Sequence, residues 1–102
     1  MKATNKIEAS RIAYFGMRKM YQQGGYALEN TKDPLKKWVV KEDGTMYLVS
    51  VKPEARRCDC PFFEENVEFA VCKHIYYVQE EIRREDNFQS LTDTLGLHGG
   101  GI

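Results

Sequence analysis

The feature that most constrains this chain is the spacing of its cysteines. Its three cysteines fall in two short motifs, Cys58-Asp59-Cys60 and Cys72-Lys73-His74, and His74 is one of two histidines in 102 residues. Structural zinc sites take four tetrahedral ligands from thiolate and imidazole groups, and this set uses every cysteine that the chain has. The sequence therefore predicts one structural zinc ion, held by Cys58, Cys60, Cys72 and His74.

Three other interpretations of the cysteines stay open. A disulfide leaves one cysteine unpaired, and a Cys-x-Cys bridge is strained. A Cys-His nucleophile pair leaves the close spacing of the other two cysteines unexplained. The four residues could also be ordinary buried core residues without a metal. In that case the one-residue spacing within both pairs would be a coincidence. Zinc is the interpretation that accounts for all four residues.

The composition is typical of a small globular domain. Charged residues make up 29% of the chain and hydrophobic residues 42%, which excludes disordered and fibrous proteins and allows a modest core. No apolar run approaches the roughly 18 residues that a membrane helix needs, and the N-terminus leads into no signal-type apolar stretch. We therefore expect one soluble, cytoplasmic domain with tails and no membrane partner.

The hydrophobic pattern predicts an α+β fold, in which a small antiparallel sheet of about three strands is flanked by an N-terminal and a C-terminal helix. Apolar residues recur at helical spacing before Gly24-Gly25, where a helix closes at low steric cost. Short alternating segments bounded by turn residues predict the strands. The predicted elements are a helix over Lys6–Gln22, strands over Tyr26–Asn30, Lys36–Lys41 and Thr45–Val51, and a helix over Lys73–Glu85.

The dipeptide Asp43-Gly44 predicts a β-hairpin, because it lies between two alternating apolar segments. With these two residues as the turn, Val40 pairs with Tyr47, and Lys41 points to the opposite face of the sheet from Tyr47. Both faces are then partly apolar. We expect both to be covered by other parts of the chain.

The net charge is zero, but the charges are unevenly distributed. Residues 1–41 hold nine Lys/Arg against three Asp/Glu, whereas residues 42–102 hold six against twelve. Neutrality argues against a protein that coats nucleic acid non-specifically, but the basic half can supply phosphate contacts. The alternative is that folding interleaves these charges into an ordinary mixed surface.

One aromatic residue of the first helix lies outside its apolar stripe. Phe15 falls between Arg11 and Arg18 on the charged side of the helix. An aromatic ring between two guanidinium groups suits stacking on an unpaired base or anchoring a protein partner, and the alternative is packing on a neighbouring segment. The candidate residues for binding nucleic acid or a partner are Arg11, Phe15, Arg18, Lys19, Lys36, Lys37 and Lys41.

The segments Trp38-Val39-Val40, Tyr47-Leu48-Val49, Cys58-Asp59-Cys60-Pro61 and Cys72-Lys73-His74-Ile75 together resemble a SWIM zinc finger. In that family a strand hairpin precedes Cys-x-Cys, and Cys-x-His opens a helix. SWIM-type modules occur in transposases, chromatin-remodelling ATPases, ubiquitin ligases and recombination accessory proteins, and they are proposed to bind DNA or proteins. The resemblance covers about residues 24–85 and implies a binding module. One departure is the spacer over 61–71, which contains Glu64, Glu65 and Glu68 and is a poor phosphate contact.

These observations divide the chain into an N-terminal helix over 1–23, a SWIM-like zinc-binding domain over 24–88 and a flexible tail over 89–102. Two functions remain as hypotheses: binding of nucleic acid, DNA above all, or protein interaction as an adaptor or homodimer. An enzyme acting on a small-molecule substrate is not expected. Four good ligands close the zinc shell to water, and no phosphate-binding glycine loop is present.

Overall fold

Four antiparallel strands and two long helices make up residues 2–95, the part of the chain that the computed structural model describes; side-chain surroundings are described for residues 2–85. The strands pair in the order β1-β2-β3-β4. The predicted α+β class is confirmed, with a short fourth strand added at the edge. The elements are α1 (Lys6–Gln23), β1 (Tyr26–Asn30), β2 (Lys36–Lys41), β3 (Met46–Ser50), β4 (Arg57–Cys58), α2 (Pro61–Glu65), a 3₁₀ turn (Val67–Phe69) and α3 (Lys73–Leu95).

Helix α1 begins and ends where its capping residues place it. The Asn5 side chain accepts a hydrogen bond from the Glu8 amide at 2.9 Å, and the helix stops at Gly24, whose φ is 70°. The predicted apolar stripe is the buried one and packs towards α3, while Phe15 is 57% exposed outside it. The buried residues of α1 are Ala9, Ala13 and Met20.

The hairpin between β2 and β3 differs from its prediction by one residue. Its loop has three residues, because the Lys41 amide donates to the Thr45 carbonyl at 2.8 Å, and Gly44 adopts a φ of 91°. Val39 therefore pairs with Tyr47, and the predicted register is wrong. Asp-Gly fits both two-residue and three-residue loops, and a shift of one residue exchanges the faces of one strand relative to the other.

The shifted register decides which side chains build the core. Val39 and Val49 are fully buried on the inner face of the sheet, where Ile75 and Val78 of α3 cover them. Met20 of α1 joins the same cluster. The core thus lies between one face of the sheet and the two long helices.

The outer face of the sheet is not covered as predicted. Trp38, Val40 and Leu48 are half-buried, and Met46 is 41% exposed. None of the four belongs to the core cluster, and the described helices pack on the opposite face. Within residues 2–85, the expectation that both faces are covered is wrong.

Helix α3 continues past the predicted end at Glu85 to Leu95. No Gly or Pro occurs between these residues, so no breaker stops the helix. Residues 89–95, predicted as the start of the flexible tail, are therefore helical; the rest of that tail lies outside the described residues. Although α3 is 23 residues long, neither it nor any other described helix is apolar enough to cross a membrane.

The N-terminal segment is tied to the loop between the two cysteine motifs. The Ala3 amide donates to Asn66 Oδ1 at 2.7 Å, and Asn66 Nδ2 donates to the Phe62 carbonyl at 2.9 Å. Both Ala3 and Asn66 are buried. Further along α1, a Cβ at Gly16 would lie 3.0 Å from the Lys73 Cβ, so the absent side chain lets α1 approach the start of α3 closely.

Candidate metal centre and adjoining cleft

The four predicted zinc ligands meet at one buried point. All four residues are buried, and their ligand atoms lie within 4.8 Å of one another. The Nδ1 atom of His74 lies 3.7 Å from Cys58 Sγ and 4.0 Å from Cys72 Sγ. Tetrahedral zinc would separate sulfur from nitrogen by about 3.5 Å, given Zn–S bonds of about 2.3 Å and Zn–N bonds of about 2.0 Å. The cluster can therefore hold one metal ion with small adjustments.

The edge of the sheet positions the first motif. Cys58 pairs with Val49 in β4 and so lies on the inner face, towards α3. The chain then turns at Asp59, whose carboxylate accepts a hydrogen bond from the Leu48 amide at 3.2 Å. This turn brings Cys60 back beside Cys58.

Two helix N-termini point at the cluster. Cys60 is the N-cap of α2, and its sulfur accepts a hydrogen bond from the Phe63 amide at 3.4 Å. Cys72 directly precedes Lys73, the first residue of α3, and so lies at the start of that helix. Helix N-termini and N–H donors stabilise thiolates, so both caps favour the metal-binding form. The sequence predicted the helix that starts at Lys73 but missed α2, although Pro61 at its first helical position is a helix-start signal.

The thiols compete for ionisation when they are this close. A hydrogen bond with Cys58 holds the pKa of Cys60 well below its usual range, and the same contact raises the pKa of Cys58. Neighbouring thiolates repel one another in a buried site, so they do not ionise together unless a cation lies between them. A divalent metal supplies that charge.

The His74 ring is fixed by an aromatic neighbour. The Tyr47 ring, on the inner face of β3, lies 4.6 Å from the His74 ring, measured between ring centres, at an angle of 35°. This contact holds Nδ1 towards the thiols. The predicted register would have paired Tyr47 differently and gave no indication of this contact.

A cleft of about 610 Å³ opens beside the metal cluster, between α1, the β2–β3 hairpin and the starts of α2 and α3. Within the described chain, no Asp or Glu lines it. None of its four cations forms an ion pair with a described residue. Unpaired cations in a concave site create a strong positive potential. The four cations are Arg11, Lys19, Lys41 and Lys73.

Four aromatic side chains line the cleft together with these cations. Phe15 is 57% exposed, and the other three rings are half-buried. His74 and Cys60 also border the cleft, so one wall is the metal cluster itself. The aromatic residues are Phe15, Tyr26, Tyr47 and Phe62.

The structure brings four of the seven predicted binding residues together in this cleft and separates the other three. Arg18 borders another depression, beside Glu80 and Arg83. Lys37 donates to Asn30 Oδ1 at 2.8 Å, away from the cleft. Lys36 lies on the outer face of β2, paired with Ser50. The residues brought together are Arg11, Phe15, Lys19 and Lys41.

The sequence analysis did not single out Lys73, which also lines the cleft. It lies between two metal ligands at the first position of α3 and is half-buried against Gly16. Its position in Cys-Lys-His could have indicated this. When the residues on either side point into a metal cluster, the side chain between them points away from that cluster. The three half-buried rings carried no such signal, since the tertiary fold alone brings their segments together.

No protein-family model, curated protein or solved structure matches the chain. The functional assignment therefore rests on the metal cluster and on the cleft beside it.

Proposed function

We propose that this chain is a non-enzymatic zinc module of the SWIM type that binds nucleic acid, DNA above all, through the cleft beside the metal. The observation that carries the proposal is the meeting of four cations in one cleft, with no carboxylate among its lining residues and no ion-pair partner among the residues that the structure describes. Phosphate contacts supply most of the non-specific affinity of proteins for nucleic acid, and they need such cations.

Zinc is the metal that best fits the ligand set. Three thiolates and one imidazole are soft and borderline donors, and tetrahedral sulfur-rich sites are typical of zinc. Four protein ligands leave no open position for water, so the role is structural and not catalytic. Elemental analysis of reduced, carefully purified protein is expected to find one zinc per chain; a ratio near zero, or a Cys58–Cys60 disulfide, would remove this part of the proposal.

The zinc ion would also hold one wall of the cleft. Lys73 lies between the ligands Cys72 and His74, so metal binding fixes the backbone that carries this cation. Arg11 and Lys19 of α1 also line the cleft, and they are eight residues apart, which is about 12 Å along the helix axis. The cations are therefore spread along the cleft, as a chain of phosphates requires.

A matched pair of arginines on α1 tests the cleft. Arg11 and Arg18 are both exposed, but only Arg11 lines the cleft. In salt titrations with a labelled DNA oligonucleotide, Arg11→Ala is expected to weaken binding about tenfold and to lower the salt slope by about one phosphate contact. Arg18→Ala is expected to change affinity less than about twofold. Equal effects of the two variants would contradict the proposal.

The alternative function, a protein adaptor or homodimer, is distinguished by the same preparation. Salt-sensitive retention on heparin or DNA supports nucleic-acid binding. A stable dimer in light scattering, combined with no retention, would favour the adaptor.

A further inference from the structure

The four aromatic residues of the cleft are not explained by phosphate binding. Phosphates need cations and amides, whereas these rings offer flat apolar faces beside the cations. Phe15 is the most exposed of them, and an exposed Phe is worth explaining where it borders a cleft. It touches Tyr14 at a ring angle of 69°, so no described ring stacks on it in parallel.

The shape of the site determines which nucleic acid reaches these rings. The rings line a concave cleft and do not form a protruding helix or strand that could enter a duplex groove. In a duplex the bases are paired and stacked inside, and only their edges face the grooves. Unpaired bases expose their flat faces and can stack on aromatic side chains.

We infer that the cleft binds an unpaired nucleic-acid strand, with its phosphates on the cations and a base stacked on Phe15. The inference rests on the proposed function and deepens it. The distance of about 12 Å between Arg11 and Lys19 along α1 exceeds the rise of about 3.4 Å per nucleotide even in a fully stacked strand, so the two cations would contact different phosphates. DNA and RNA share the chemistry that this site recognises, namely unpaired bases on a phosphate backbone.

The test compares single strands with a duplex on the zinc-loaded full chain. The probes are a labelled oligo-dT, an oligo-U of the same length, and a blunt-ended DNA duplex with the same number of phosphates, all at one salt concentration. The single strands are expected to bind about tenfold or more tightly than the duplex. Preference between oligo-dT and oligo-U reports the combined effect of the sugar and the thymine methyl group, and either preference supports an unpaired-strand site.

Variants of Phe15 separate stacking from apolar contact. Phe15→Leu keeps an apolar side chain but removes the ring, and it is expected to weaken single-strand binding about tenfold with an unchanged salt slope. Phe15→Tyr keeps the ring and is expected to bind like the parent chain. Thermal melts of both variants should match the parent, because the side chain is mostly exposed.

The two proposals fail in different ways. Duplex binding as tight as single-strand binding, or a Phe15→Leu variant that binds like the parent, would overturn the inference and leave nucleic-acid binding standing. Absence of binding to all three probes would overturn both.

Discussion

The metal cluster and the cleft share a wall but are built in opposite ways. In the cluster, all four residues are buried, and the Cys60 sulfur accepts an amide hydrogen bond from the start of α2. In the cleft, four cations lack ion-pair partners among the described residues, and Phe15 is largely exposed. Polar groups that find their partners within the chain stabilise the fold. Groups without such partners are available to bind a ligand. The first region should therefore control stability, and the second should control binding.

The change from one role to the other occurs within three residues. Cys72 and His74 point into the cluster, while Lys73 between them lines the cleft. At a helix start, neighbouring side chains point about 100° apart, so adjacent positions reach different surroundings. This junction allows a direct comparison of the two regions with neighbouring substitutions.

The largest expected effect is the loss of a metal ligand. Structural zinc in small modules contributes on the order of 10 kcal/mol, which is comparable with the total stability of about 5 to 15 kcal/mol of an ordinary domain. Cys72→Ser is therefore expected to abolish the cooperative thermal melt seen by circular dichroism. Lys73→Ser, one residue away, should keep that melt. If Cys72→Ser melted at the same temperature as the parent chain, the metal cluster would not control stability.

A smaller effect is expected at the loop between the two ligand pairs. Asn66 is fully buried and bonds both the Ala3 amide and the Phe62 carbonyl. Asn66→Ala leaves these groups without their partner and is expected to cost about 2 kcal/mol in urea unfolding. Zinc content should stay at one per chain. If this variant also lost zinc, the loop and the metal site would not contribute independently to the stability of the chain.

A contact distant from both regions predicts a pH dependence. Burial, followed by the hydrogen bond to Glu81 at 2.7 Å, raises the pKa of Tyr21 above its ordinary value of 10.0. The unfolded chain thus loses this proton first, and stability falls as the pH rises above about 10. Tyr21→Phe is expected to cost about 1 kcal/mol at neutral pH and to flatten the alkaline decline in urea unfolding. If the stability of Tyr21→Phe declined as steeply with pH, the decline would be caused by other titrating groups.

The smallest effect on stability is expected in the cleft. The double variant Arg11→Ala with Lys19→Ala should change the free energy of unfolding by less than about 0.5 kcal/mol, because both side chains are exposed and neither forms an ion pair within the described part of the chain. The same variant should lower the salt slope of DNA binding by about two phosphate contacts. Destabilisation comparable with that of Asn66→Ala would mean that the cleft also supports the fold.

Local patterns explain what the sequence could predict. The stripe on α1 and the cysteine spacing each depend on residues close along the chain, and both predictions gave the observed placement. The hairpin register failed because Asp43-Gly44 is compatible with two loop lengths that differ by one residue. That error also separated Lys41 from Tyr47, which lie on one face and line one cleft.

The cleft could not be predicted because its lining comes from distant segments. Lys19, Tyr26, Lys41 and Phe62 belong to four different elements. Their meeting depends on the close approach of α1 to Lys73 at Gly16, which no pattern in either segment encodes. The charge asymmetry indicated that the N-terminal half is basic. Only the fold shows that Arg11 lines the cleft and that Arg18 does not.

The shared wall has a thermodynamic consequence. Because Cys60 and His74 border the cleft and also belong to the metal cluster, occupancy of one region alters the surroundings of the other. Linkage between two bound species is reciprocal, so any factor by which zinc tightens binding in the cleft must equally tighten the hold on zinc. A chain with an occupied cleft would then surrender its metal to a chelator more slowly or less completely than a free chain. The cellular supply of zinc and the availability of a ligand would act on this protein as one coupled variable.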